Sequence, residues 1–175
     1  GKIHAHFQQT VAATGRISCT EPNLQNIPIK QELGRQLRKA FVPESDDWIL
    51  VGADYSQIEL RVLAHLSEDP TLIDSFRKGT DIHKTTAAKV FGVPESEVTP
   101  LQRTNAKAVN FGVIYGMSSF GLASELNISR KMAEKYIDEY FNKYSKVKAF
   151  MDRQIDECKK NGYVTTIMNR KRPIP

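Results

Sequence analysis

From Pro70 to Lys160 apolar residues recur at helical spacing, interrupted only by Gly79, Gly92-Val93-Pro94, Gly116 and Asn127. Helix starts are signalled within this stretch by Thr80-Asp81 ahead of His83 and by Thr99-Pro100, where proline's missing N–H costs nothing. Ser129 and Ser145 read as further N-caps. The pattern differs at the two ends of the chain. Residues 1–29 mix polar, Gly and Pro positions and predict turns with short extended pieces. Gly34 to Phe41 is a short basic amphipathic helix carrying Arg35, Arg38 and Lys39. Trp48-Ile49-Leu50-Val51-Gly52-Ala53 is a continuous apolar run after the turn-like Ser45-Asp46-Asp47, which predicts a buried strand. Asp54-Tyr55-Ser56 then leads into a mostly buried helix with Ile58, Leu60, Val62, Leu63 and Leu66 inward and Ser56 as its cap. Gly162 to Ile167 returns to β-branched, strand-like chemistry. Strand-rich segments flanking a long helical insertion predict an α+β fold.

Composition narrows the class without deciding the function. The 175 residues are 40% hydrophobic and 26% charged, an ordinary globular balance. No run approaches the roughly 18 apolar residues of a membrane span, and the first residues contain no apolar run of the signal-peptide kind. It begins Gly1-Lys2-Ile3-His4 and ends Arg170-Lys171-Arg172-Pro173-Ile174-Pro175, and it is expected to be a piece of something longer. Cys19 and Cys158 lie far apart with no CxxC spacing, so neither a disulfide nor a zinc site is expected, and a reducing cytoplasmic setting fits. The net charge of +5 is a moderate basic excess, compatible with a solvated surface or with nucleic acid. Only organised charge distinguishes the two.

Organised charge is found in Arg103-Thr-Asn-Ala-Lys107-Ala-Val-Asn-Phe111-Gly-Val-Ile-Tyr115-Gly116. Arg103, Lys107, Phe111 and Tyr115 recur every fourth position, and each step drifts only about 40° around a helix. The resulting stripe starts cationic and ends aromatic, as a nucleoside triphosphate is charged at one end and flat at the other. Arginine forks and lysine charges suit phosphate oxygens, and an aromatic ring can stack on a base. Gly112 and Gly116 would let a backbone or base approach the two rings. The plainer alternative puts Phe111 and Tyr115 in the core, but Asn110 and Gly112 then interrupt the apolar side without reason. Asp54 closes the expected strand, either as a hard-cation ligand projecting into a cleft or as a helix cap shared with Ser56. Glu59 falls near the buried side of its helix and needs a partner, with Arg61 and Arg38 as candidates. His83 lies where helix amides favour anions, or is a polar surface residue.

Taken together, Asp54-Tyr55-Ser56-Gln57-Ile58-Glu59-Leu60-Arg61 and Arg103-x3-Lys107-x2-Asn110-Phe111-Gly112-x2-Tyr115-Gly116 resemble motifs A and B of the DNA polymerase I family (family A). Thr14-Gly15-Arg16 and Asn23-Leu24-Gln25-Asn26-Ile27-Pro28 resemble that family's earlier palm segment. The resemblance covers essentially the whole chain.

It implies a palm part at residues 1–69 with an antiparallel sheet and helices, helical fingers at 70–162, and a return to the palm at 163–175. It implies template-directed nucleotidyl transfer from a dNTP to a primer 3′-hydroxyl by two Mg²⁺ ions. Asp54 and the Tyr55 carbonyl would bind metal, and Asp54 and Lys107 would act in the chemistry. Gln57, Glu59, His83, Arg103, Lys107, Phe111 and Tyr115 would form the nucleotide site, with Glu59 rejecting a ribose 2′-hydroxyl. Phe111 implies discrimination against dideoxynucleotides, which Phe111→Tyr would relax. Arg16, Gln25 and Asn26 would touch the minor groove of the primer-template. The implied partners are primer-template DNA and dNTP, with no membrane, for a monomeric enzyme of a bacterial or phage-infected cytoplasm. Motif C, with the second metal-binding aspartate, is not matched in the 175 residues, so the piece alone is expected not to polymerise. A non-catalytic nucleic-acid-binding module on the same scaffold and a generic helical interaction domain are the competing readings.

Overall fold

The computed structural model describes residues 1–28 and 31–174, an α+β chain with eight α-helices and two small antiparallel hairpins among those residues. The first hairpin pairs β1 (His6–Gln8) with β2 (Ser18–Thr20), with Phe7 opposite Cys19. The second pairs β3 (Tyr163–Thr165) with β4 (Lys171–Pro173), with Val164 opposite Arg172. Between them lie α1 (Glu32–Arg38), α2 (Ile58–Ser67), α3 (Pro70–Arg77), α4 (Ile82–Phe91), α5 (Pro100–Ile114), α6 (Ser119–Leu126), α7 (Arg130–Lys143) and α8 (Ser145–Asn161).

Helices α2 to α8 share one core. Leu60 and Leu63 from α2, Leu72 from α3, Ile82 and Val90 from α4, Val109 and Val113 from α5, Leu122 from α6, Tyr136 and Tyr140 from α7, and Tyr144 and Val147 meet there. Fully burying one such side chain contributes about 1.5–3 kcal/mol, and this sum, rather than helix propensity, holds the body together. Within α2, Leu60, Leu63 and Ala64 face inward, whereas Ile58 and Val62 are exposed, so the buried stripe is narrower than expected.

Local signals place most helix ends. Thr99 and Gln102 form a reciprocal capping box with Pro100 in the first turn of α5. Asp81 caps α4, and Ser129 accepts from the Met132 amide at 3.2 Å. Two expected caps are not used. At the start of α2 the cap position is Gln57 in the left-handed region (φ 54°) with no side-chain cap, so Ser56 does not serve. Ser145 is the first residue of α8. The amide of Lys146 is instead bonded 3.2 Å from Asp69 Oδ2, whose Oδ1 accepts from Leu72 in α3 at 3.0 Å. One buried carboxylate thus caps two helices that begin 75 residues apart in sequence.

The strand expected over Trp48–Ala53 is not formed. These residues belong to no regular element, and Trp48, Ile49, Leu50 and Val51 are all exposed. A strand's hydrogen bonds come from a neighbouring strand, and among the described residues both hairpins pair only within themselves.

Candidate functional site

The site is built on the contact between α4 and α5. The buried face of α5 carries Ala106, Val109, Asn110, Gly112 and Val113, so helical spacing turns Arg103 and Lys107 outward and leaves Phe111 half-buried. Tyr115 occupies the C-cap and is exposed. Its ring lies 6.3 Å from that of Phe111 at an interplanar angle of 15°, so the stripe ends in two near-parallel rings, one half-buried and one exposed, rather than in the core. Gly116 ends the helix at φ +70°. The amide of Met117 donates to Gly112 O at 2.8 Å and that of Gly116 to Val113 O at 3.0 Å, the two bonds of a left-handed glycine stop. Gly112 has a different job from the one expected. A Cβ there would meet Met117 Sδ at 3.2 Å, so the missing side chain admits Met117 rather than a base.

Charge is arranged around the start of α4. Asp81 Oδ1 accepts from the His83 and Lys84 amides, both at 3.1 Å, and Oδ2 accepts from Arg103 Nε at 2.6 Å. The helix amides that the sequence offered to an external anion are therefore occupied by the chain's own carboxylate. Burial works against the Asp81 charge, but the bonds from Arg103 and the two amides outweigh it and hold its pKa below the usual value. Lys107 is exposed and has no hydrogen bond or ion pair among the described residues.

His83 is buried, 3% exposed, and not a surface histidine. Its Nδ1 lies 2.8 Å from Asn110 Nδ2, and its ring is 5.9 Å from that of Phe111. Desolvation lowers its pKa from 6.5; Asp81 opposes this and Arg103 and Lys107 reinforce it, leaving a neutral imidazole near pH 7.

Glu59 has the partners its position demands, although not the expected ones. Arg16 Nη2 and the Tyr115 hydroxyl both donate to its carboxylate, and the Arg16 guanidinium lies 5.8 Å from the Tyr115 ring centre. Arg61 turns instead to Ser56 O at 2.9 Å and stacks over Phe76, while Arg38 donates to Ile27 O at 3.3 Å. Arg16, from the loop between β1 and β2, thus joins α2 and the end of α5. Asp54 and Tyr55 stand on exposed coil rather than at a strand end, and Asp54 has no hydrogen bond or ion pair among the described residues. Gln57 is half-buried at the start of α2. Gln25 Nε2 donates to Ile17 O at 3.1 Å beneath the first hairpin, and Asn26 beside it is exposed. Among the described residues no three His, Cys, Asp or Glu side chains gather at one point, and no helix is long and apolar enough to cross a membrane.

Arg103, Lys107, His83, Phe111 and Tyr115, all expected from the sequence, share the α4–α5 face. Asp81 as the partner of Arg103 and the bond from Asn110 to His83 are not among those expectations. The interruption of the apolar side at Asn110 was the available signal.

The chain is similar to DNA polymerase I of Bacillus caldotenax, 55% identical over 174 residues, and to that of Geobacillus stearothermophilus, 54% identical over 175. The match covers 99% and 100% of this chain respectively, and 20% of each relative. The chain thus spans about a fifth of the length of these curated relatives. Among solved structures it resembles the POL domain of Pol1 from M. smegmatis in complex with DNA primer-template and dNTP. The TM-score is 0.87 and the identity 45%, covering 100% of this chain and 31% of that one. The family model for DNA polymerase family A matches residues 1–175, and the chain belongs to that family.

Proposed function

We propose that these residues form the incoming-nucleotide half of a template-directed DNA polymerase, which transfers a nucleotidyl group from a dNTP to a primer 3′-hydroxyl. The observation that carries this reading is the α5 face, where exposed Arg103 and Lys107 lead into the Phe111 and Tyr115 rings. Arg103 and Lys107 hold the triphosphate, His83 adds a neutral donor beneath them, and Phe111 stacks on the nucleotide while Tyr115 borders the templating position. Glu59, fixed between Arg16 and Tyr115, stands where a ribose 2′-hydroxyl would bring an unmatched group, and Gln57 completes that side. Arg16, Gln25 and Asn26 face the minor groove of the primer-template. Residues 1–69 and 163–175 act as palm and 70–162 as fingers, although α2 packs on α3 and α8 and ties the two parts together.

Asp54 and the Tyr55 carbonyl are hard oxygen donors that suit Mg²⁺. Two such ions, when bound, would activate the 3′-hydroxyl and neutralise the departing pyrophosphate. Only one carboxylate of the expected pair is matched here, so the second comes from outside these 175 residues, and the piece alone does not polymerise. In the full-length protein, Asp54→Asn is expected to abolish primer extension while leaving dNTP affinity within a few-fold of wild type. Retained extension would remove Asp54 from the chemistry. The partners are primer-template DNA and dNTP, and the enzyme acts as a soluble monomer in the cytoplasm.

A further inference from the structure

Among the described residues His83 has one ring nitrogen bonded inside the protein and one without a partner, and the proton can sit on either. We propose that Tyr144, Thr86 and Asn110 form a buried line of hydrogen bonds that holds His83 as the Nε2–H tautomer, so that it meets the phosphates of an incoming nucleotide as a donor. The three are positioning residues acting through His83, and the inference rests on the nucleotide site proposed above.

The line runs through three parts of the helical core. The Tyr144 hydroxyl, at the junction of α7 and α8, lies 3.2 Å from Thr86 Oγ1 in α4. Thr86 Oγ1 lies 3.2 Å from Asn110 Oδ1 in α5, and Asn110 Nδ2 lies 2.8 Å from His83 Nδ1. Tyr144, Thr86 and Asn110 are fully buried. Asn110 sits on the α5 face otherwise occupied by Val109 and Val113, where a leucine would pack without a polar cost. An amide is worth keeping there only if both its ends are bonded, and both are.

The direction of the line follows from proton counting. Tyr144 has no acceptor among the described residues other than Thr86, and burial pushes its pKa up to about 12, so it keeps its proton and donates. Thr86 has a single hydroxyl proton and must pass it on to Asn110 Oδ1. The amide is thereby oriented with its NH₂ toward His83, whose Nδ1 must accept. The remaining imidazole proton is on Nε2. Reversing the line would leave the buried Tyr144 proton unbonded and would turn the Nε2 lone pair toward the anion. The charged groups around the ring are Asp81, Arg103 and Lys107, and the two cations disfavour a second proton on it.

The inference is tested on the full-length protein labelled with [¹⁵N]histidine, with the His83 signals identified by His83→Gln and read by magic-angle-spinning NMR. Wild type is expected to show Nε2 protonated and Nδ1 bare. In Asn110→Asp the carboxylate can only accept, so Nδ1 becomes protonated. In Thr86→Val the amide loses its orienting bond, both tautomers are seen, and the KM for dNTP rises about fivefold with kcat little changed. A wild-type Nδ1–H form overturns the proposal, as does an unchanged pair of ring signals in both variants. Lys107→Ala separates the two levels. If it raises the dNTP KM while the His83 signals never move, this inference falls and the nucleotide site stands. If it leaves the KM unchanged, the site itself falls.

Discussion

Arg103 and Asp81 hold each other across α4 and α5, with Nε 2.6 Å from Oδ2, and the same carboxylate caps α4. The bond uses the sideways donor of the guanidinium and leaves its terminal fork for a phosphate. Asp81→Asn keeps an N-cap acceptor but removes the ion pair, which is half-exposed and contributes about 0.2–1 kcal/mol. The expected result is a dNTP affinity in the full-length protein roughly two- to fivefold weaker, measured by fluorescence titration. A tighter complex would mean that Asp81 competes with the nucleotide instead of orienting Arg103.

The neutral state of His83 gives the protein an acid-side signature. Its pKa is lowered from 6.5 in the folded chain, so the unfolded state takes up a proton first as the pH falls. The associated stability is fully present above about pH 6.5 and is lost progressively below it, down to the folded-state value. His83→Gln is expected to flatten this part of the stability-against-pH curve. The check is denaturant unfolding at a series of pH values, and an equally steep decline in the variant would assign the effect to other groups.

Asp69 joins the α3 and α8 starts through its two oxygens, 3.0 Å and 3.2 Å from the Leu72 and Lys146 amides. Each lost cap costs about 1 kcal/mol, and the site is buried, so Asp69→Ala is expected to destabilise the fold by about 2–3 kcal/mol. Amide exchange should quicken at both Leu72 and Lys146. Faster exchange at Leu72 alone would show that α8 does not depend on this carboxylate.

What could be read ahead of the fold was local or periodic. Thr99-Pro100, Asp81 and Ser129 mark helix starts with their own side chains, and the spacing from Arg103 to Tyr115 already places those residues on one face. What could not be read depends on distant chain. Asp69 caps a helix that begins at Ser145, Asp81 meets Arg103 from 22 residues away, and Glu59 draws on Arg16 rather than its neighbour Arg61. Trp48–Ala53 has the composition of a buried strand, but pairing is supplied by another segment, and among the described residues both hairpins pair only within themselves. Gly112 looked like space for a ligand because sequence does not show that Met117 folds back over it.

Lys107 offers the most direct test of the nucleotide site, because it is exposed and carries its charge without a bonded partner among the described residues. A hydrogen bond to a charged phosphate contributes about 1.5–3 kcal/mol, so Lys107→Ala should weaken dNTP binding to the full-length protein about 10- to 100-fold with the unfolding midpoint unchanged. Equal dNTP affinity in Lys107→Ala and wild type would contradict the assignment of the α5 face to the triphosphate.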